Sequence, residues 1–285
     1  MERLLVATDF SPRSDRALRR ARLLAHKLEA PLTIAHVIDA DRPDELIEAD
    51  KAVASVKLAE LSNTLRDVDG LQADWLLKVD DIHAGILSAA DEVSAGLIVI
   101  GPHRRRMSDV FVGTTAERVI RRSSRPLLVV VDHPASHHRG TLLALDFDEA
   151  SRFAARHALA MGLFDHTDVV VVHAFDAPAE HLMKRSLEPT VEVQDYVAEE
   201  GRSAARKLKE LVAELELPPT CRSIVSIKGS PGRTILETAL ELDTDLIVLG
   251  TNQRKGFERM FVGSVTTDVI RDTERDVLIV PVEAG

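Results

Sequence analysis

The chain repeats itself once, and this repeat constrains the fold more than any other feature. Residues 4–10 read LLVATDF and residues 142–147 read LLALDF, so Asp9 and Asp146 occupy equivalent positions. Further along, LIVIG and FVGTTAERVIRR in the first half return as LIVLG and FVGSVTTDVIRD in the second. Chance matches do not keep their order across separate blocks. The sequence therefore predicts two homologous domains, residues 1–135 and 139–285, joined by the polar segment HPASHHRG.

Within each copy, short apolar runs alternate with helical patterns. The runs of the first copy are Leu4–Thr8, Leu32–Val37, Ala73–Val79, Leu97–Gly101 and Leu127–Val131. Between the first two runs, Ala17, Ala21, Leu24, Ala25 and Leu28 follow the spacing of one buried helical stripe. This alternation is typical of βαβ units with a parallel sheet. We expect an α/β fold in which each copy is an open, doubly wound, five-stranded parallel sheet of the Rossmann-like kind.

Composition excludes several classes of function. Among 285 residues there is one cysteine, which excludes a disulfide framework and a multi-cysteine zinc site and favours the cytoplasm. The formal net charge of −10 opposes binding to a phosphate backbone, so no nucleic-acid partner is expected. The longest uncharged stretches are shorter than a membrane span of roughly 18 apolar residues, so no membrane association is expected either.

Two features fall where open α/β sheets bind their ligands, at the carboxyl ends of the strands. The first is the acidic residue after strand one, Asp9 or Asp146. The second is the loop after strand four, which ends in Gly113-Thr114 or Gly263-Ser264 and opens a helix. A helix N-terminus attracts anions, and a carboxylate accepts hydrogen bonds from a base or ribose, so the pair describes a nucleotide site. Alternatively, the Gly-Thr and Gly-Ser pairs only cap helices and the acids only occupy turns.

These residues resemble the universal stress protein family in its tandem form. The resemblance covers nearly the whole chain and is strongest in VATDFS, AHV, LIVIG and FVGTTAERVIRRSSRPLLVV. The family signature, G-x2-G-x9-G-[ST], is incomplete in both copies. The second copy has Gln253 in place of the second glycine, whereas the first copy has Arg104 there and a loop one residue shorter.

The resemblance implies that the chain binds ATP or a related adenine nucleotide such as AMP, and it leaves an accompanying divalent metal open. The implied site residues of the second copy are Asp146, Ala174, Gly250, Gln253, Gly263 and Ser264. The corresponding residues of the first copy are Asp9, Val37, Gly101, Gly113 and Thr114. We expect nucleotide mainly in the second domain, because its loop keeps the nine-residue spacing and because Asp80 and Asp81 of the first copy repel anions.

Other polar clusters have simpler interpretations. The basic residues Arg104–Arg106 and Arg254-Lys255 either steer anions or form solvated loops. The linker residues His133, His137 and His138 are expected to be solvated rather than to hold a metal, and His36 and His173 to be hydrogen-bonded structural histidines. Cys221 is expected to be inert. No catalytic motif is present, so no catalytic residue is assigned.

Three functions remain open at this stage. The first is a cytoplasmic stress-response protein that binds an adenine nucleotide as a regulatory ligand. The second is a protein-interaction module whose pockets have degenerated, and the last is a slow ATPase. We also expect the two copies to pair within one chain through their last strands, Leu127–Val131 and Leu278–Val282, because apolar strand edges invite association. A homodimer remains open as a further assembly.

Overall fold

The computed structural model of the chain describes residues 2–102, 115–174, 191–218, 221–226, 230–253 and 263–283. The chain divides into two compact units. The first consists of residues 1–137, 253–262 and 276–285, and the second consists of residues 138–252 and 263–275. The last strand of the second copy therefore belongs to the first unit.

The first unit carries the first copy of the repeat. Its elements are β1 (Arg3–Ala7), α1 (Pro12–Leu28), β2 (Leu32–Asp39), α2 (Asp44–Asp67), β3 (Ala73–Asp80), α3 (Ile82–Glu92), β4 (Ala95–Ile100), α4 (Thr115–Arg122) and β5 (Leu127–Val129). Parallel pairing gives the strand order β3-β2-β1-β4-β5. The predicted doubly wound parallel sheet is confirmed.

The second unit repeats this arrangement. Its elements are β6 (Gly140–Ala144), α5 (Glu149–Ala160), β7 (Asp168–Ala174), α6 (Val191–Glu214), β8 (Arg222–Ser226), α7 (Pro231–Glu241), β9 (Leu246–Gln253) and α8 (Ser264–Asp272). Parallel pairing joins β8 to β7, β7 to β6 and β6 to β9. No helix within the described ranges combines the length and the apolar character needed to cross a bilayer.

Local sequence explains where α1 begins and which face it buries. The Ser11 side chain caps the helix by accepting from the backbone N–H of Ser14, and Pro12 occupies a first-turn position where no donor is lost. The stripe predicted from the sequence is buried: Ala17, Ala21, Leu24, Ala25 and Leu28. The helix ends at Glu29, whose left-handed backbone supplies the C-terminal cap.

The final strand, β10 (Asp276–Glu283), pairs antiparallel with β5 inside the first unit. Val277, Leu278 and Ile279 lie opposite Val129, Leu128 and Leu127, and all six side chains are buried. These are the two strands whose pairing the sequence predicts. The apolar edge that β5 would otherwise expose is thereby covered by residues of the second copy.

A buried ion pair fixes β10 to the first unit. Arg20 of α1 donates through Nε to the Asp276 carboxylate at 2.8 Å, and the two side chains are 3% and 0% exposed. The other Asp276 oxygen accepts from the backbone N–H groups of Val131 and Asp132, while Arg20 also donates to the Ser136 carbonyl. Such full hydrogen bonding is what allows two charges to remain buried.

Gly101, directly after β4, and Gly250, within β9, allow α1 and α5 to approach the sheet closely. A Cβ on Gly101 would lie 2.7 Å from the carbonyl oxygen of Arg13, and a Cβ on Gly250 would lie 2.3 Å from that of Ala150. Both obstacles are rigid backbone in the first turn of a helix. A side chain at either position would therefore push the helix away from the sheet.

We predict that Arg20→Leu lowers the free energy of unfolding by about 3–5 kcal/mol, because it leaves the Asp276 charge buried without its partner. The neighbouring Arg19 forms an exposed pair with Asp15 and is the matched control. Arg19→Leu should cost at most about 1 kcal/mol. Urea unfolding followed by circular dichroism measures both, and equal losses would contradict a structural role for the buried pair.

We also predict that Gly250→Ala lowers the free energy of unfolding by about 1–3 kcal/mol through overpacking against α5. The control is Gly201→Ala in α6, because a Cβ on Gly201 would meet no atom of the described residues within 4 Å. In a helix interior the control change should be neutral or stabilising by up to about 1 kcal/mol. Thermal unfolding of the two variants compares them directly, and an unchanged melting temperature for Gly250→Ala would refute close packing at this strand end.

Candidate functional site

The strand order reverses beside the first strand of each copy. In the first unit β1 lies between β2 and β4, and in the second unit β6 lies between β7 and β9. Ligands of open α/β sheets bind outside the carboxyl ends of the strands at this position. Asp9 follows β1 and Asp146 follows β6, so each acid lies at the place that the fold favours for binding.

The first unit has a cavity of about 350 Å³ at this edge. It is bounded by the carboxyl ends of β1, β2 and β4 and by the first turns of α1, α3 and α4. The lining residues are Ala7, Thr8, Asp9, Ser11, Arg13, Ser14, Ala35, Val37, Ile82, Ile86, Ile100, Gly101, Pro102, Thr115 and Ala116. The structure thus brings the predicted residues Asp9, Val37 and Gly101 together around one space. The volume lies at the lower end of small-molecule sites.

The lining divides by chemistry into an apolar wall and a polar rim. Val37, Ile86 and Ile100 supply branched apolar surface, whereas Asp9 and Arg13 bring opposite charges to the opening. A flat apolar ring gains free energy from such a wall, and the rim offers an acceptor and a cation for its polar substituents. The cavity is therefore suited to a ligand that is aromatic at one end and polar at the other.

Asp9 is held in a tight turn. One of its carboxylate oxygens accepts from the backbone N–H of Ser11 at 3.0 Å. Burial acts to raise the pKa of Asp9, but hydrogen bonds from Ser11 and Ser14 and the charge of Arg13 outweigh it, so that the pKa lies below its ordinary value. At neutral pH Asp9 is thus an ionised acceptor at the rim of the cavity.

A second carboxylate lies at the start of α3. Asp81 caps this helix by accepting from the backbone N–H groups of His83 and Ala84. Burial acts to raise the pKa of Asp81, but these hydrogen bonds and the neighbouring His83 and Arg118 outweigh it and lower the pKa. The anion-attracting end of α3 is therefore already occupied by a charge of the protein itself.

The second unit differs at the corresponding helix. α7 begins after Ser230, whose side chain makes no capping hydrogen bond to any described residue. α8 likewise begins after Gly263, which has no side chain to cap the first turn. Gly263 has an ordinary backbone angle of φ −54°, and a Cβ there would meet none of the described atoms within 4 Å. Among the described residues, neither helix therefore has a side-chain cap at its first turn, and the backbone N–H groups of such a turn are donors that an anion can use.

The other predicted residues of the second copy lie along the same edge. Asp146 is exposed and accepts from the backbone N–H of Phe147 at 2.8 Å. Ala174 is the last residue of β7, and Gln253 is the last residue of β9. Gly250 lies within β9 and packs on α5, so its observed contact is structural.

Several predicted residues lie outside the described part of the chain. They are Arg104–Arg106, Gly113 and Thr114 in the first copy and Arg254-Lys255 in the second. Their roles remain predictions.

Sequence reasoning missed Arg13, Ile82 and Ile86 as parts of the site. Arg13 and Ile82 belong to the first turns, and Ile86 to the second turn, of helices that begin at the carboxyl edge of the sheet. The signal was present in the order of the elements, because a helix that follows a parallel strand starts at the edge where that strand ends. Placing the first two turns of each helix at that edge would have found them.

The remaining candidates have structural contacts. His36 and His173 are each hydrogen-bonded through Nδ1 to a backbone carbonyl, at 2.7 and 2.9 Å. Burial raises the pKa of the Cys221 thiol, which opposes formation of a reactive thiolate. Within the described ranges no group of three or more His, Cys, Asp and Glu side chains is arranged to hold a metal ion.

Comparison with known proteins gives a consistent family. The sequence model of the universal stress protein family matches residues 1–131 and again residues 139–281. A universal stress protein of Mycolicibacterium smegmatis is 26% identical, with 97% of this chain and 96% of that protein covered. A universal stress protein of Synechocystis is 29% identical over 150 residues, covering 49% of this chain and 95% of that protein.

Solved structures agree at the level of the fold. A universal stress protein from Archaeoglobus fulgidus superimposes with a TM-score of 0.70 at 18% identity, covering 97% of each chain. A putative universal stress protein from Pseudomonas aeruginosa gives 0.69 at 20% identity, covering 99% of this chain and 93% of that one. Because the family match spans both halves, the chain belongs to the universal stress protein family in its tandem form.

Proposed function

We propose that this universal stress protein acts in the cytoplasm and binds an adenine nucleotide, ATP or AMP, as a regulatory ligand. The observation that carries the proposal is the cavity beside β1, which is lined by Asp9, Val37 and Gly101 among other residues. In this proposal the nucleotide is a ligand rather than a substrate. Its presence would change the shape or the partners of the protein during stress.

The first-copy cavity supports the adenosine part of the proposal. An adenine ring would lie against Val37 and Ile86, and the ionised Asp9 would accept hydrogen bonds from the base or the ribose. Purine rings have both a flat apolar face and polar edges, which matches the division between wall and rim.

The second copy supports the phosphate part. The first turn of α8 offers backbone N–H groups after Gly263, and the Ser264 hydroxyl adds a donor. Phosphate oxygens need close approach to backbone, and no described atom obstructs the space beside Gly263. At α3 of the first copy, which corresponds to α7, the Asp81 carboxylate would repel phosphates. We therefore propose that the second copy binds nucleotide more tightly.

One observation favours a second candidate, a protein-interaction module without nucleotide. The second glycine of the family signature is replaced in both copies, by Arg104 and by Gln253. A side chain at this point occupies space that the phosphates would otherwise use. The affinity of the full chain for ATP separates the two candidates.

We predict that Gly263→Val abolishes ATP binding by the second copy, because its branched side chain would occupy the space of the phosphate oxygens. Ser264→Ala should weaken binding about ten- to a hundredfold, because one hydrogen bond to a charged group is lost. Isothermal titration calorimetry with ATP and AMP measures both changes in the full chain.

The matched control for these variants is Gly201→Val on α6, because a Cβ on Gly201, like one on Gly263, would meet no described atom within 4 Å. It should leave ATP affinity unchanged. If the two helix-start variants lose only stability, about 1 kcal/mol as for a lost cap, the residues are caps and nothing more. A wild-type chain without measurable ATP affinity up to millimolar concentration would support the interaction module instead.

A second pair of variants tests the ranking of the two copies. Asp9→Ala and Asp146→Ala remove the equivalent exposed carboxylate from each copy. We expect Asp146→Ala to abolish the tighter binding event and Asp9→Ala to affect only the weaker one, because the phosphate contacts favour the second copy. Equilibrium dialysis against labelled ATP resolves the two events, and the opposite assignment would reverse the ranking.

A further inference from the structure

One imidazole in each copy contacts the residues on both sides of the strand-end aspartate. In the first copy, His36 Nδ1 lies 2.7 Å from the carbonyl oxygen of Thr8, and the His36 ring lies 4.5 Å from the ring of Phe10. Thr8 precedes Asp9 and Phe10 follows it. The same histidine side chain thus contacts the residue before Asp9 and the residue after it.

The second copy repeats both contacts with its own residues. His173 Nδ1 lies 2.9 Å from the carbonyl oxygen of Leu145, and its ring lies 4.3 Å from the ring of Phe147. Leu145 and Phe147 flank Asp146. The interplanar angles are also similar, 36° in the first copy and 44° in the second. The arrangement therefore survives in two copies whose sequences have otherwise diverged.

The hydrogen bond fixes the protonation of the ring. A carbonyl oxygen only accepts, so Nδ1 must carry the proton in both histidines. The Nδ1–H group donates to the backbone carbonyl of the residue that precedes the aspartate. The imidazole therefore holds the end of the strand through a directed bond rather than through packing alone.

A lysine from the next helix contacts the same phenylalanine. Lys57 Nζ of α2 lies 5.0 Å from the centroid of the Phe10 ring, and Lys207 Nζ of α6 lies 6.0 Å from that of Phe147. A cation at this distance is attracted to the electron-rich face of a ring. Each phenylalanine ring thus has two partners, a histidine and a lysine.

The first-copy turn needs this support. Phe10 has a left-handed backbone angle of φ 57°, which is unfavourable for a bulky residue and persists only when its surroundings enforce it. The backbone N–H of Phe10 donates to the Thr8 hydroxyl, and its ring packs on His36. The conformation of Phe10 in turn sets where Ser11 donates to the Asp9 carboxylate.

We infer that His36 and His173 are positioning residues, each of which holds the turn that carries the strand-end aspartate of its copy in the geometry for ligand contact. The identity of the ligand in this inference rests on the proposed function, whereas the geometry of the turn does not. A histidine that only stabilises the fold would leave the aspartate unchanged in any variant that still folds. The two roles therefore differ in what happens to Asp9.

The test that needs no ligand measures the pKa of Asp9 in the full chain by carbon NMR of the carboxyl group, between about pH 2 and pH 6. In wild type the pKa lies below the ordinary value of 3.8. His36→Leu removes both contacts and should raise the Asp9 pKa toward that value. His36→Asn keeps an N–H donor for the Thr8 carbonyl and should restore part of the lowering.

Matched variants define the outcome. His173→Leu makes the same change in the other copy and should leave the Asp9 pKa at its wild-type value, as should His26→Leu at the exposed far end of α1. Phe10→Leu tests the ring contact by itself and serves if His36→Leu does not fold. An Asp9 pKa that stays at the wild-type value in the folded His36 and Phe10 variants overturns the inference.

Two further readouts complete the experiment. Nitrogen NMR of the imidazoles should show a proton on Nδ1 of His36 and of His173, and an unprotonated Nδ1 in both would overturn the hydrogen-bond assignment. In the ATP titration, His36→Leu and His173→Leu should each weaken binding in their own copy about three- to tenfold. If wild type does not bind ATP, the proposed function fails, whereas the Asp9 pKa and the tautomers still decide the positioning role.

Discussion

The association of β10 with the first unit depends on one buried ion pair, between Arg20 and Asp276. The desolvation free energy of two buried charges can exceed the free energy gained from their attraction. The pair therefore selects one arrangement of β10 on β5 rather than adding stability. Asp276 satisfies Arg20 and two backbone N–H groups together, and this is possible only in the observed register of β10 on β5. A shifted strand would leave a buried arginine and two backbone donors unsatisfied, each at a free-energy cost.

The two copies of the repeat have different residues at both positions of this ion pair. At the position equivalent to Arg20 the second copy has His157, and at the position equivalent to Asp276 the first copy has Pro126. The β5 strand therefore offers no carboxylate to an arginine. Because Arg20 requires one, β10 is preferred over a second β5 as the partner strand. Divergence of the repeat at these positions therefore makes the β5–β10 contact specific to one strand of each copy.

The fold could be predicted from the sequence because the internal repeat indicates two similar domains and the hydrophobic periodicity indicates which residues are buried. The stripe from Ala17 to Leu28 is buried, and the strand runs returned as strands close to their predicted limits. The sequence did not reveal Arg20, which lies on the buried side of the same helix although arginines are mostly exposed. Its partner is Asp276 at the far end of the chain, and no local pattern carries that information. The cavity residues Ile82 and Ile86 were missed for the related reason that they come from a helix start rather than from a motif.

The two copies also differ in the features that the proposed nucleotide site would use. The first copy combines an apolar cavity with a carboxylate at the start of α3, whereas the second presents helix starts at α7 and α8 without side-chain caps in the described ranges. A carboxylate at a helix N-terminus satisfies the same donors that a phosphate would use, so the two are alternatives. Asp81 caps α3, whereas no described side chain caps α7 or α8. Under the proposed function, a phosphate would supply such a cap at α8, so that binding of the ligand would add stability to this helix start.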